Sequence, residues 1–229
     1  MLTKKYLRKF INYLSKDKSP QEKVELVISL MEARGREILK REKDYEDLYI
    51  DPQVDILISK PQVIQQVHNE LLDFLTVLRA NNTHSILQIG LGHFASTHFA
   101  LSFLMDKIVT IEYDQEHISR YLNELNQENE TLIHGDSTDA DIISEALEAN
   151  GGQEFDAVYI DGNHSYEYVK KDLQNYKELV KTGGIVALHD ANFEGDRYGT
   201  PQVIREFDTL GWNFISHSEE VGIAYFIKK

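Results

Sequence analysis

The chain has 229 residues, 41 % of them hydrophobic and 10 % aromatic, enough for one substantial core and too apolar for a disordered tail. A formal net charge of −14 argues against binding to a phosphate backbone, and the absence of cysteine excludes disulfides, thiolate zinc sites and cysteine nucleophiles. No apolar run reaches the roughly 18 residues a bilayer span needs, and the opening MLTKKYLRKFINYLSKDKSP has neither the apolar core nor the cleavage site of a secretion signal, so a soluble, cytoplasmic protein without a nucleic-acid partner or membrane span is expected.

Charge divides the chain. Residues 1–43 hold 12 Lys/Arg against 6 Asp/Glu, a balance of +6, so with −14 overall the remainder carries −20. In this basic arm Leu2, Tyr6, Leu7, Phe10, Ile11 and Leu14 recur at helical spacing, which predicts a short amphipathic helix. Ser19-Pro20-Gln21-Glu22 then reads as a capping box with proline at the first helical position, opening a second helix through Val24, Val27 and Met31. The arm is read as a helical cover or a contact between copies of the chain. A third helix is predicted over 61–80, with Val63, Val67, Leu71, Phe74, Leu75 and Leu78 as its apolar stripe.

Beyond residue 80 short apolar runs alternate with amphipathic ones. The runs 86–89, 108–111, 131–133, 157–160 and 185–188 read as strands, and 95–105, 115–126, 140–149, 166–180 and 201–210 as the intervening helices. Strands apolar throughout and separated by helices of this length imply βαβ units and a mostly parallel sheet covered on both faces. Residues 213–217 and 222–228 lie too close together for a crossover helix and are expected to pair antiparallel. The fold class expected is thus α/β, a Rossmann-like doubly wound sheet with an antiparallel last strand and an N-terminal helical extension.

In such sheets ligands bind beyond the carboxyl ends of the strands, where this chain places its chemistry. The first strand ends in Gly90-Leu91-Gly92, a turn bare enough for backbone amides to approach a ligand at the start of a helix. The second ends at Glu112, 22 residues beyond Gly90, a spacing suited to a carboxylate on ribose hydroxyls. The third leads to Asp136, the fourth to Asp161 with His164 three residues on, and the fifth to His189-Asp190. Gly90-x-Gly92-x-x-Ala95 also satisfies the dinucleotide fingerprint, so an NAD(P)-dependent oxidoreductase stands as an alternative. The segment NFEGDRYGTP after the fifth strand reads as a mobile rim. His84, His98, His117 and His217 have no ligand spacing and read as structural.

The order LQIGLGHFAST, IEYD, HGDST, FDAVYIDGNHSYEYVKKDL and TGGIVALHDAN resembles the class I S-adenosylmethionine-dependent methyltransferases, in particular the small-molecule O-methyltransferase branch with catechol-type and macrolide-sugar enzymes (methyltransferase family 24-like). The resemblance covers 59–229 and divides the chain into a helical extension, 1–58, used as cover or for oligomerisation, and a methyltransferase domain, 59–229. It implies a seven-stranded sheet and S-adenosyl-L-methionine as cofactor, with Gly90, Gly92, Gln88 and Ser96 at its methionine end, Glu112 on the ribose, Asp136 on the adenine amino group, and Asp161 at the methyl-transfer end. Gln88 stands where the family has an acid, and Phe94 where a third glycine is common. By the same resemblance His164 is the general base and Asp161 a catalytic partner and metal ligand; the residues themselves offer a site for Mg²⁺ or another divalent ion at Asp161 and Asp190 with His189 or Asn192, His189 standing beside the second aspartate where the family has an acid or amide. The expected activity is O-methylation of a small hydroxylated metabolite; a catalytically silent methyltransferase-like scaffold is the other alternative.

Overall fold

The computed structural model describes residues 4–14, 16–41, 66–92, 94–125, 128–193, 195, 197–215 and 221–229. Helices α1 (Lys4–Leu14) and α2 (Pro20–Arg41) form the N-terminal arm. The Ser19 backbone N–H donates to Glu22 Oε2 at 2.8 Å while the Glu22 N–H donates to Ser19 Oγ at 3.2 Å, the reciprocal capping box expected from the sequence. The expected boundary at 58/59 and the first part of the third helix, 61–65, lie outside the described residues.

Helix α3 (His68–Ala80) begins later than the apolar stripe predicts. Val67 is its extended N-cap, with φ −73° and ψ 124°. Gln66 is turned away to the carboxyl rim of the sheet, where its amide donates to Asp161, so a contact 95 residues along the chain overrides the local helical pattern.

From there strands and helices alternate: β1 (Ser85–Ile89), α4 (Ser96–Leu104), β2 (Lys107–Glu112), α5 (Gln115–Leu125), β3 (Glu130–His134), α6 (Ala140–Ala149), β4 (Phe155–Ile160), α7 (Tyr166–Tyr176), β5 (Val180–His189), α8 (Thr200–Glu206), β6 (Trp212–Ile215) and β7 (Ile223–Lys228). The seven strands form one sheet in the order β3-β2-β1-β4-β5-β7-β6. The first five strands of the chain run parallel, and β7 is antiparallel to both of its neighbours, β5 and β6. This is the Rossmann-like sheet with an antiparallel last strand that the sequence predicts.

Side chains on a strand alternate between faces, so each apolar strand feeds two cores. Ile86, Ile108, Ala157, Tyr159, Ile185 and Ala187 pack on one face with α3, α4 and α5, whereas Leu87, Val109, Val158, Ile160, Val186 and Leu188 pack on the other with α6, α7 and α8. The arm joins the first core: Ile11, Val24, Val27, Ile28 and Met31 are buried in the same cluster as Phe74 and Phe99. Among the described residues no helix is long and apolar enough to cross a membrane.

Candidate functional site

The strand ends converge at one rim. Leaving β1, Gly90 has φ +89°, a conformation that glycine adopts without steric cost. A Cβ there would also run into the Asp161 carbonyl, so the bareness of this turn serves packing as much as ligand approach, a requirement that strand-by-strand reading misses. The close approach joins the exit of β1 to the exit of β4.

Glu112, at the end of β2, is already organised. Its Oε2 accepts the Leu91 N–H at 2.7 Å and the Gly92 N–H at 3.3 Å, and its Oε1 accepts the Asp114 N–H at 2.8 Å. His117 Nδ1 lies 3.6 Å from the same carboxylate. Burial alone would raise the Glu112 pKa, but the His117 contact and the backbone donors bring it below the ordinary carboxylate value. His117, read from sequence as structural, therefore belongs to this site; it sits on α5 beyond the turn that follows Glu112 and carried no spacing that marks a ligand.

Gln88 is buried on β1 and donates from Nε2 to the Gly90 carbonyl at 2.7 Å, bracing the turn from within. Ser96 is buried in the first turn of α4. That helix starts from Ala95, at φ +50°, with no side-chain cap on its N–H groups, leaving donors that suit an anion.

Asp136, after β3, accepts the Thr138 N–H and hydroxyl at 2.8 and 2.7 Å and the Tyr168 hydroxyl at 3.2 Å. The Thr138 N–H, foremost among these, keeps its pKa below the ordinary value. Behind it, Asp172 on α7 accepts the Ser137 hydroxyl at 2.8 Å. Tyr168 and Asp172 were not legible as site residues, because both reach Asp136 or its neighbour from a helix in a different βαβ unit.

At the exits of β4 and β5, Asp161, His164 and Asp190 come together, each offering one ligand-type atom, all within 4.8 Å of one another. His164 Nδ1 lies 2.6 Å from Asp190 Oδ2. His189 reaches both carboxylates from the buried side, its Nδ1 3.1 Å from Asp161 Oδ1 and 3.2 Å from Asp190 Oδ1. The other Asp161 oxygen accepts Gln66 Nε2–H at 2.9 Å and the Tyr159 hydroxyl at 3.2 Å. Asp190 holds φ +57°, unusual for a residue with a side chain and of the kind that persists where the surroundings over-determine it.

Burial opposes charge on His164, yet the Asp190 carboxylate outweighs it and raises the imidazole pKa. The same competition, with Asp161 as the stronger partner, holds His189 well above its ordinary value. Both imidazoles in turn depress Asp190. Tyr159 is pushed up by burial first and by the two carboxylates after it. Tyr159 and Gln66 are the residues that sequence reasoning missed here; Tyr159 sits two positions before Asp161, but its alternation onto the first core gave no hint that its hydroxyl reaches the rim.

The rim segment is tied down at both ends. The Gly199 N–H donates to the His164 carbonyl at 2.7 Å, and the Ala191 and Asn192 N–H groups donate to the Gly222 and Val221 carbonyls at 3.0 and 2.9 Å. Tyr198 brings its ring 5.4 Å from His164 and 4.4 Å from Phe193, an aromatic wall beside the acid and histidine cluster. Glu194 and Asp196 of this segment lie outside the described residues.

Residues 87–191 match a family model described as a methyltransferase domain. No curated protein sequence matches the chain. In fold it is similar to a protein from Staphylococcus aureus assigned as a caffeoyl-CoA O-methyltransferase, with 16 % identity and a TM-score of 0.58 over 85 % of this chain and 99 % of that one. It is also similar to cofactor-bound Rv0187 from MTB, with 14 % identity and a TM-score of 0.55 over 74 % of this chain and 84 % of that one. A third likeness is to MycE, a methyltransferase of the mycinamycin biosynthetic pathway in complex with Mg, S-adenosylhomocysteine and mycinamycin VI, at 17 % identity and a TM-score of 0.50 over 68 % of this chain and 48 % of that one. At these identities the likeness is one of fold.

Proposed function

We infer that a chain built around a class I methyltransferase domain at residues 87–191 uses S-adenosylmethionine to methylate a hydroxyl group of a small metabolite. The observation that carries this reading is an adjacency: the glycine turn braced by Glu112 packs directly on the backbone of Asp161, so a cofactor seated on the turn presents its reacting end to the Asp161, His164 and Asp190 cluster.

The cofactor reading assigns each group a task that its surroundings suit. Glu112 has its carboxylate fixed by three backbone donors, and with roughly four acceptor sites on a carboxylate its Oε1 keeps one for a ribose hydroxyl. Tyr113, 75 % exposed beside it, offers an aromatic face to the adenine ring, and Asp136 an acceptor for the amino group. The uncapped first turn of α4 at Ser96 suits the carboxylate of the methionine portion. Gln88 contributes through the turn it braces. A dinucleotide-dependent oxidoreductase has the glycine motif and the Glu112 spacing behind it, and the family match covers both.

Methyl transfer from a sulfonium is an in-line displacement, which needs an aligned oxygen and a base for its proton. His164 is that base in our reading. Asp190 faces Nδ1, which leaves Nε2 to take the acceptor's proton, and the carboxylate stabilises the imidazolium that results. Asp161, fixed by Gln66 and Tyr159, provides negative charge beside the sulfonium. The aromatic wall of Tyr198 and Phe193 fits a planar or C–H-rich face of the acceptor.

A second reading adds a divalent ion. Asp190 Oδ2 and both His189 nitrogens are buried without an aligned hydrogen-bond partner among the described residues, although His164 Nδ1 lies 2.6 Å from that oxygen and His189 Nδ1 lies 3.1 and 3.2 Å from Oδ1 of Asp161 and of Asp190. Close but misaligned donors are what ligands converging on a shared cation look like, so the residues fit such an ion. Asp161 and Asp190 with one imidazole would hold it, and the mixed oxygen and nitrogen set suits manganese or zinc better than magnesium. When bound, the ion would act as a Lewis acid toward the acceptor oxygen.

The test is His164→Gln. With a methylated acceptor found by screening hydroxylated metabolites, turnover should fall by roughly 100-fold or more while S-adenosylhomocysteine affinity stays unchanged. A variant that binds the cofactor and keeps full turnover removes His164 from the role. Turnover abolished by EDTA and restored by manganese or zinc would establish the second reading.

A further inference from the structure

The arm is more than a cover. Arg34, on α2, has a side chain only 10 % exposed and sits where three elements meet. Its Nη1 donates to the Phe94 carbonyl at 2.5 Å, in the loop between β1 and α4. Its Nε and Nη2 donate to Glu124 Oε1 and Oε2 of α5 at 2.6 and 3.0 Å, a two-pronged pair that a lysine cannot reproduce. The guanidinium also lies 4.8 Å from the ring centres of both Phe99 and Tyr121.

The loop that Arg34 grips is the one that holds the cofactor in the reading above. From the sheet side Glu112 takes the Leu91 and Gly92 amides, and from the helix side Arg34 takes the Phe94 carbonyl. Directly after the Phe94 anchor Ala95 is held in the left-handed region, at φ +50°, a conformation that costs an alanine energy unless its neighbours impose it. Phe94 is fully buried; its backbone carbonyl meets the arm while its ring enters the core.

We propose that Arg34 is a positioning residue for the cofactor loop, and that docking of the N-terminal arm and binding of the cofactor are therefore coupled. The proposal rests on the cofactor reading. Coupling is reciprocal: if the docked arm favours the binding form of the loop, the bound cofactor must favour the docked arm to the same degree.

The experiment compares wild type, Arg34→Met, Arg34→Lys and Glu124→Gln by calorimetry with S-adenosylhomocysteine, by thermal melting and by amide hydrogen exchange. Arg34→Met should bind at least 10-fold more weakly, Arg34→Lys should fall between it and wild type, and Glu124→Gln, which spares the Phe94 contact, should stay within 3-fold. In wild type the ligand should slow exchange along α2, and in Arg34→Met it should not. Folded Arg34→Met with wild-type affinity, or α2 exchange indifferent to ligand in wild type, overturns the proposal. Should Arg34→Met fail to fold, Arg34→Lys carries the same comparison against Glu124→Gln at matched melting temperature. Should wild type bind no S-adenosylhomocysteine, the cofactor reading and the coupling fail with it, and ligand-free exchange at 91–95 decides the positioning role alone: it rises in Arg34→Met if Arg34 shapes the loop and is unchanged if it does not.

Discussion

Asp172→Asn should stabilise the protein, and only in neutral to alkaline solution. Asp172 is fully buried on α7, with one oxygen accepting from Ser137 and the other without a hydrogen-bond partner among the described residues. Burial raises its pKa from 3.8 to about 7, and at ~1.4 kcal/mol per unit the charged form costs the folded state roughly 4 kcal/mol. The sign follows from proton counting. Between the unfolded value and the folded one the native state holds the extra proton, so stability falls as pH rises through that window and is level above about 7. Asparagine keeps the shape and never charges, but its amide leaves a buried donor in place of the orphaned oxygen, which returns ~1–2 kcal/mol of the gain. The expected net effect is a rise of ~2–3 kcal/mol at pH 8, on the order of 4–12 °C in melting temperature for a chain of this size. At pH 5 the two proteins should differ by much less. Thermal melting of both from pH 5 to 9 is the assay. Parallel curves across that range would refute the burial argument, as would a variant less stable than wild type at pH 8.

Three further outcomes follow from the geometry. Glu112→Gln turns an acceptor into a donor opposite the Leu91, Gly92 or Asp114 amide, and with charged hydrogen bonds worth ~1.5–3 kcal/mol each, S-adenosylhomocysteine affinity should fall by roughly 10- to 100-fold; unchanged affinity in calorimetry would remove Glu112 from the site. Gly90→Ala meets both a positive φ and the Asp161 carbonyl, whereas Gly151→Ala meets only a positive φ in open space, so differential scanning calorimetry should give a loss well above ~1–2 kcal/mol for the first and near that figure for the second, and equal losses would contradict the packing account. Phe74→Ala empties a buried aromatic position against Tyr159 and should cost ~3–5 kcal/mol in denaturant unfolding; a loss under 1 kcal/mol would mean that the core there is not packed as described.

Strand and helix order was legible because a parallel sheet buried on both faces writes itself as apolar runs between amphipathic ones, and helix α6 falls on residues 140–149, as its pattern predicts. Ends were less legible where tertiary contacts set them. Strand β5 reaches back to Val180 through Thr182-Gly183-Gly184, which reads as a turn, because the chain pairs again with Phe155 across a register shift. Helix α7 stops at Tyr176 in a single 3₁₀ turn, Lys177–Leu179, although apolar residues continue beyond it. The acid and histidine pairs at the rim were visible as strand termini, since this sheet architecture delivers such termini to one edge. What locks them was not: Gln66 is 95 positions from Asp161, and Arg34 is 60 from Phe94, distances over which a single sequence carries no pattern.

Calorimetric titration of the wild-type chain with S-adenosylhomocysteine, and separately with NAD, bears most directly on the central claim. Binding of S-adenosylhomocysteine at micromolar concentration with no heat from NAD is the result expected from a glycine turn braced by Glu112 and seated on Asp161. Binding of NAD alone would return Gly90-x-Gly92-x-x-Ala95 to a dinucleotide role, and no heat from either ligand would leave the rim without the cofactor on which the account depends.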